Sequence, residues 1–344
     1  MKQQHGGAPS NRPDLLDFSA NLNPLGMPDS VRDAIRESAE SCARYPDPFC
    51  TELCAETAIA EQIPPEQLVF GNGAADLIFR IVQTMQPKKA LLAVPCFSEY
   101  EKALRSVGCA IRTYPLLPEH VFMLDEQFLS MLTPDLDMVF LCSPNNPTGR
   151  LIPRDLLQKI AAICAQHQIM LICDECFLGL SSHEPAHSIS AYLNAYTIRL
   201  TAFTKLYAIP GVRLGYAVCG SSEIAAQIRD CGQYWSVSAP AQAAGLAALK
   251  AQEYVHRSVK MITKEREYLS ENLRSLGCIV YDSDTNFILF RTIGNFAEQM
   301  LNENILIRDC SNFRGLSPGY FRIAVRTHDE NRLLIAAAER SLHG

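Results

Sequence analysis

Residues 201–216 read "TAFTKLYAIPGVRLGY", and the single lysine among these small and apolar residues governs how the rest of the chain is read. The run "TIRLTAFT" (197–204) that leads into it has the β-branched composition of a buried strand. Lys205 therefore stands where such a strand ends, and Arg213 follows eight positions later, beyond an Ile-Pro-Gly turn. A lone ammonium in that setting is costly, so it is paired, shifted towards neutrality or chemically used. Which of the three applies depends on what other segments bring to the same place.

Outward from the lysine the chain alternates. The apolar runs "QLVF" (67–70), "ALLAVP" (90–95), "MVFLCSP" (138–144), "IMLICDE" (169–175), "TIRLTAFT" (197–204) and "LGYAVCG" (214–220) are separated by amphipathic stretches of helical period. This is the signature of an α/β domain, a mostly parallel sheet with helices on both faces. From about 240 to 275 the pattern is that of one long connecting helix. Beyond it "CIVYDSDTNFILFR", "ILIRDC" and "YFRIAVR" suggest antiparallel strands, with helices near 294–303 and 328–342. The expected organisation is a large domain over 40–240. A smaller α+β domain would comprise 1–39 and 241–344, with an N-terminal arm that packs there or on a neighbouring subunit.

Bulk properties narrow the function. The chain has 344 residues, 48% of them hydrophobic, and a net charge of −6, which argues against nucleic acid or an anionic membrane as partner. The N-terminus has no apolar leader segment and no run is long enough to span a bilayer, so a cytoplasmic location is expected. The thirteen cysteines are scattered through apolar stretches and read as reduced core thiols. Cys173 and Cys176 form a lone C-x-x-C without clustered histidines, which reads as packing; no metal site is expected.

In a parallel sheet, ligands bind beyond the carboxyl ends of the strands, and four such ends carry distinctive residues. "GNGAAD" (71–76) opens a helix, so Gly73, Ala74 and Ala75 can aim backbone N–H groups at a phosphate. "SPNNPTG" (143–149) is a specific turn containing Asn146. Asp174 closes "LICDECF", a poor place for a carboxylate without a cationic partner. Lys205 ends the fourth strand, with Arg213 near enough to neutralise a phosphate. An aromatic aldehyde with a phosphate and a basic ring nitrogen accounts for all four, and pyridoxal 5′-phosphate is such a molecule. Lys205 would form the Schiff base and Asp174 would keep the ring nitrogen protonated. Asn146 would bond the ring hydroxyl, Phe97 would stack on the ring, and Thr204, Arg213 and the Gly73–Ala75 turn would hold the phosphate. Tyr100 and Trp235 read as packing residues, the latter with a pocket role as an equal alternative.

These motifs resemble the class I/II aminotransferases of the fold-type-I superfamily, over nearly the whole chain. Within that family the resemblance is to the branch of histidinol-phosphate aminotransferases and the threonine-phosphate decarboxylases of cobalamin synthesis, closer to the latter. It rests on "HGG" near the start, "LLDFSANLNPLGMP" (15–28), "RYPDP" (44–48), "SPNNPTG", "TKLYAIPGVRLGY", "WSVSA" (235–239) and "ILIRDC…YFRIAVR". It implies a homodimer in which Tyr45 reaches the partner's cofactor phosphate. His5, Gly6, Asn21, Asn146, Arg308 and Arg322 match positions around the substrate's phosphate and carboxylate. Phe177 stands at a cofactor position where aminotransferases carry tyrosine, and Ala202 replaces a common phosphate-binding serine, leaving Thr201 or Thr204 to substitute.

The implied activity is decarboxylation of O-phospho-L-threonine to (R)-1-aminopropan-2-yl phosphate. Decarboxylation of O-phospho-L-serine to ethanolamine phosphate and transamination of histidinol phosphate are the alternatives. A non-catalytic sensing module would be marked by a lost lysine or a fused DNA-binding segment, and this sequence has neither mark.

Overall fold

The computed structural model describes residues 6–7, 12, 14–183, 186–292 and 294–343. Thirteen strands are described: β1 (Leu16–Asp17), β2 (Leu68–Gly71), β3 (Lys89–Val94), β4 (Ala110–Pro115), β5 (Met138–Cys142), β6 (Met170–Asp174), β7 (Thr197–Ala202), β8 (Gly215–Cys219), β9 (Ile279–Val280), β10 (Phe287–Arg291), β11 (Ile305–Leu306), β12 (Arg308–Asp309) and β13 (Tyr320–Ala324). Seven of them form one sheet in the order β2-β8-β7-β6-β5-β3-β4, parallel except for β8, which runs against both neighbours. Four more form an antiparallel sheet, β12-β13-β10-β9, and β1 pairs with β11.

The central strands are apolar throughout because both faces are covered. Along β5, Val139 and Leu141 join Leu156, Leu157 and Ile160 of the helix Arg154–His167. Met138, Phe140 and Cys142 point the other way, into Leu77, Ile78 and Ile81 of the helix Ala74–Met85. Register brings the chemistry level: Cys142 is the cross-strand partner of Asp174, so the Asn-Asn-Pro-Thr-Gly turn and the aspartate leave the sheet at one edge.

Two expectations are corrected. Strand β4 belongs to no apolar run, because it lies at the sheet edge with every residue at least partly exposed; its polar alternation hides it in the sequence. The long helix of 240–275 is two helices, Ala239–Leu249 and Gln252–Ser275. Between them Ala251 leaves helical geometry (φ −91°, ψ 45°). The first helix buries Ala241, Ala244 and Ala248 beside β2 and β8, and the second buries Leu269 and Leu273 against the small sheet. One straight rod could not serve both surfaces, and nothing in "AALKAQEY" announces the break.

The N-terminal stretch divides likewise. Phe18 extends the small sheet, its carbonyl accepting from Ala324 N at 2.7 Å. The helix Asp29–Glu37 buries Val31 among Leu68, Phe70 and Tyr216. Among the described residues no helix is long and apolar enough to cross a membrane.

Candidate active site

The carboxyl ends of β5, β6 and β7, the start of the helix after β2, and the small sheet enclose one cavity of about 660 Å³. Its wall includes Gly6, Asn21, Ala74, Ala75, Phe97, Asn146, Asp174, Phe177, Thr204, Lys205, Arg213, Arg308 and Arg322, so widely separated stretches of sequence meet there.

At one end lies an anion cradle. Gly73 caps the helix Ala74–Met85 at φ +82°, and a Cβ on it would come within 2.4 Å of Arg213 Nη2. Only glycine admits this approach of guanidinium to turn. The guanidinium is steadied by the carbonyls of Pro210 (3.1 Å) and Asn72 (3.3 Å). The unbonded N–H groups of a helix start and a neighbouring arginine make a phosphate site. Of the two threonines that could replace the missing serine contact, Thr204 is on the cavity wall; Thr201 is not among the lining residues.

Asp174 is buried, and its two oxygens are held separately. Oδ2 accepts from Tyr100 Oη at 2.6 Å and Oδ1 from the backbone N–H of Cys176 at 3.0 Å. Tyr100, read from sequence as packing, is thus a partner of the site carboxylate. Its ring stacks on Phe140 (centroids 5.0 Å apart, 13° between planes) and meets Phe97 edge-on at 5.7 Å. Burial first, and then the charge of Asp174, push its phenol well above the usual value, so it remains a donor. The available signal was its place in the first turn of the helix Ser98–Ser106, three residues after the capping Phe97.

Lys205 lies in the one-turn helix Phe203–Leu206 that follows β7. Burial, then the cation of Arg322, bring its ammonium down from 10.5 to about 8, with Arg213 acting in the same direction. Asn23 fixes its backbone: the Asn23 N–H donates to the Lys205 carbonyl at 3.1 Å and its side chain donates to Leu206 O at 2.7 Å. This role of "NLNPLG" was not foreseen, because asparagine before Pro reads only as a turn.

The other end is strongly cationic. Arg308 on β12 and Arg322 on β13 are direct cross-strand partners, both buried. Like charges in that relation repel. Burial and the neighbouring Arg308 bring Arg322 down from 12.5 to about 10. Arg322 donates to Asn146 Oδ1 and to Ser19 O (2.9 Å), and its guanidinium lies 5.4 Å from the Phe287 ring. With the Asn146 oxygen so occupied, its amide nitrogen is the donor left for the pocket. The Asn21 amide oxygen is buried without a hydrogen-bond partner among the described residues. Phe177 packs edge-on against Phe287 at 5.0 Å and supplies an apolar wall.

Two of the aromatic residues singled out from sequence lie away from this cavity. Tyr45 is 79% exposed and stacks on Trp235 (4.4 Å, 23°), away from this chain's own cavity. Trp235 is itself about half exposed, hence neither a core residue nor a lining of this cavity. His5 lies outside the described residues; Gly6 is described and packs against Ser19 so closely that a Cβ would meet Ser19 O at 2.0 Å. Asn312, Phe313 and Arg314, between β12 and β13, line the cavity mouth without having been singled out from sequence.

The cradle around Gly73, the buried carboxylate of Asp174, an amine partly neutral near physiological pH and the apolar face of Phe97 fit a phosphorylated aromatic aldehyde with a basic ring nitrogen. Fold and site together define a pyridoxal-phosphate-dependent enzyme of fold type I. Residues 13–338 match the family described as aminotransferase class I and II, and the chain belongs to it. A threonine-phosphate decarboxylase of Salmonella typhimurium is 38% identical over 96% of this chain and 92% of its own length. The crystal structure of L-threonine-O-3-phosphate decarboxylase from Porphyromonas gingivalis superposes with a TM-score of 0.83 at 27% identity, covering 95% of this chain and 99% of that one. That of histidinol-phosphate aminotransferase from Clostridium acetobutylicum gives 0.88 at 29%, over 95% and 99%.

Proposed function

We propose that the protein decarboxylates O-phospho-L-threonine, releasing CO₂ and (R)-1-aminopropan-2-yl phosphate for cobalamin synthesis. The observation that carries this reading is the buried pair Arg308 and Arg322 facing the cavity that holds Lys205. Two cations forced together in a low-dielectric wall are stabilised by a ligand with more than one anionic group. The likeness to threonine-phosphate decarboxylases supports the same substrate class.

In this reading Lys205 Nζ is the amine that holds the cofactor, with Asp174 at the ring nitrogen, Asn146 at the ring hydroxyl and Phe97 and Phe177 against the ring. Gly73, Ala74, Ala75, Thr204 and Arg213 hold its phosphate. Pyridoxal phosphate bound there supplies an acceptor for the electron pair left on Cα when the carboxylate departs as CO₂. Arg308 and Arg322, with Gly6, Asn21 and His5, hold the substrate's anions, so the orientation of its Cα bonds is set by the small sheet. Lys205 Nζ or a water delivers the proton that replaces CO₂ on Cα. Phe177 adds no hydroxyl at the ring, unlike the tyrosine of aminotransferases.

The reading includes a cytoplasmic homodimer and a large domain over about 40–240, to which the helices Asp29–Glu37 and Ala239–Leu249 add their packing. All thirteen cysteines are free thiols, which suits a reducing compartment. Tyr45, Phe49, Tyr234 and Trp235 form an exposed cluster of touching rings suited to burial by a second copy, from which Tyr45 would reach the other cavity. The test is to incubate the holoprotein with phosphothreonine, phosphoserine and histidinol phosphate, with and without 2-oxoglutarate, and to weigh the products. Aminopropanyl phosphate formed without 2-oxoglutarate is expected. A 2-oxo product that needs 2-oxoglutarate would replace this reading by transamination.

A further inference from the structure

A phosphoamino acid brings more negative charge than Arg308 and Arg322 can match. Near neutral pH its phosphate carries about −1.5 to −2 and its carboxylate one more, while Arg213 is engaged at the opposite end, beside Gly73. A third cation belongs in the cavity wall. Lys102 is turned to the ring of Phe79 (5.9 Å) and paired with Glu99. Arg105 gives Glu101 Oε1 two bonds, at 3.0 and 2.6 Å. Arg314 is held more weakly than Arg105 and has no ring contact like that of Lys102 among the described residues: its Nη1 reaches that same oxygen at 3.5 Å, and its side chain is 49% exposed.

Arg314 also sits among the partners of Arg308. The turn between β12 and β13 supplies Asn312, whose Oδ1 accepts from Arg308 Nη2 at 2.7 Å, and Phe313, whose ring lies 5.2 Å from the Arg308 guanidinium. Gly315, at φ +90°, carries the turn against Pro95 on the other wall. Were Arg314 to turn away, Glu101 would keep Arg105 as its partner, so no charge would be stranded. A solvent-screened pair of this length is weak, whereas a guanidinium meeting a dianion in an enclosed cavity forms charge-assisted hydrogen bonds.

We propose that Arg314 exchanges Glu101 for the substrate's phosphate, stands beside Arg308 there, and so selects phosphorylated over unphosphorylated amino acids. The inference rests on the phosphoamino-acid reading above.

The experiment compares wild-type holoenzyme with Arg314→Gln, Arg314→Lys and Glu101→Gln. Arg314→Gln should raise KM for phosphothreonine about tenfold and leave kcat within about twofold. Its KM should also lose most of the fall that the wild type shows as pH rises through the phosphate's second ionisation, near ~6. Lysine should recover part of the affinity. Glu101→Gln, by removing the competing acceptor, should lower KM. Calorimetric binding of inorganic phosphate should weaken in Arg314→Gln and strengthen in Glu101→Gln. Unchanged KM and phosphate affinity in Arg314→Gln would overturn the inference. So would a rise in KM in Glu101→Gln matching that of Arg314→Gln, which would make the pair a latch. Wild-type binding of phosphothreonine without CO₂ release would remove the decarboxylase reading alone, since the affinities still report on Arg314.

Discussion

Replacing Lys205 by methionine in the cofactor-free protein should make it more stable, by an amount that depends on pH. In the folded chain the ammonium titrates at about 8 instead of 10.5, because burial and the cations Arg322 and Arg213 oppose its charge. Below pH 8 the lysine is charged in both folded and unfolded chains, and the folded state bears the whole penalty. Between 8 and 10.5 the unfolded chain binds more protons, so wild-type stability rises with pH relative to the variant; above 10.5 both forms are neutral and the penalty is gone. The fall from 10.5 to about 8 corresponds to ~3 kcal/mol. Methionine keeps the length of the side chain and brings no charge, so packing changes little. Urea denaturation of both apoproteins, with thiols kept reduced, should show the variant ahead at pH 7 and the gap narrowing towards pH 10.5. Equal midpoints at pH 7, or a gap that widens with pH, would refute the account of Lys205 as an amine held against its own charge. The same displacement means that capture of pyridoxal phosphate should speed up as pH rises through about 8, where the neutral amine becomes abundant.

Two further substitutions test how the site is held. Tyr100→Phe keeps the stack on Phe140 but deprives the buried Asp174 of its 2.6 Å donor; a hydrogen bond to a buried charge is worth ~1.5–3 kcal/mol, so a lower denaturation midpoint and a shifted absorbance of bound cofactor should appear together. A spectrum and midpoint equal to wild type would return Tyr100 to mere packing. Gly73→Ala places a Cβ 2.4 Å from Arg213 Nη2 at a backbone angle side chains avoid; cofactor affinity, followed by absorbance, should weaken at least about tenfold while the fold persists, since strain of ~1–3 kcal/mol stays local. Unchanged affinity would show that Arg213 and this turn do not share a ligand.

The parts legible in the sequence were those whose chemistry is local. Strands β5 and β6 announced themselves because burial on both faces requires continuous apolar runs, and Gly73, Asn146, Asp174, Lys205 and Arg213 stood out because glycine, amide and charge sit awkwardly at the ends of such runs. Strand β4 escaped because an edge strand with every residue partly exposed obeys no apolar rule. Tyr100 escaped for the opposite reason: an aromatic residue on a helix face looks alike whether its hydroxyl meets solvent or, as here, a carboxylate 74 residues away.

The sequence by itself determined the α/β class, the strand ends that carry the chemistry and the type of cofactor. These depend on short segments whose polarity admits one arrangement. The tertiary structure alone decided that Arg308 and Arg322 lie opposite each other, that Asn23 clamps the lysine's backbone, and that the turn carrying Arg314 meets Glu101 across the cavity mouth. Each of those joins residues distant in the chain, and no periodicity records them: they exist because the small sheet is packed over the ends of the large one.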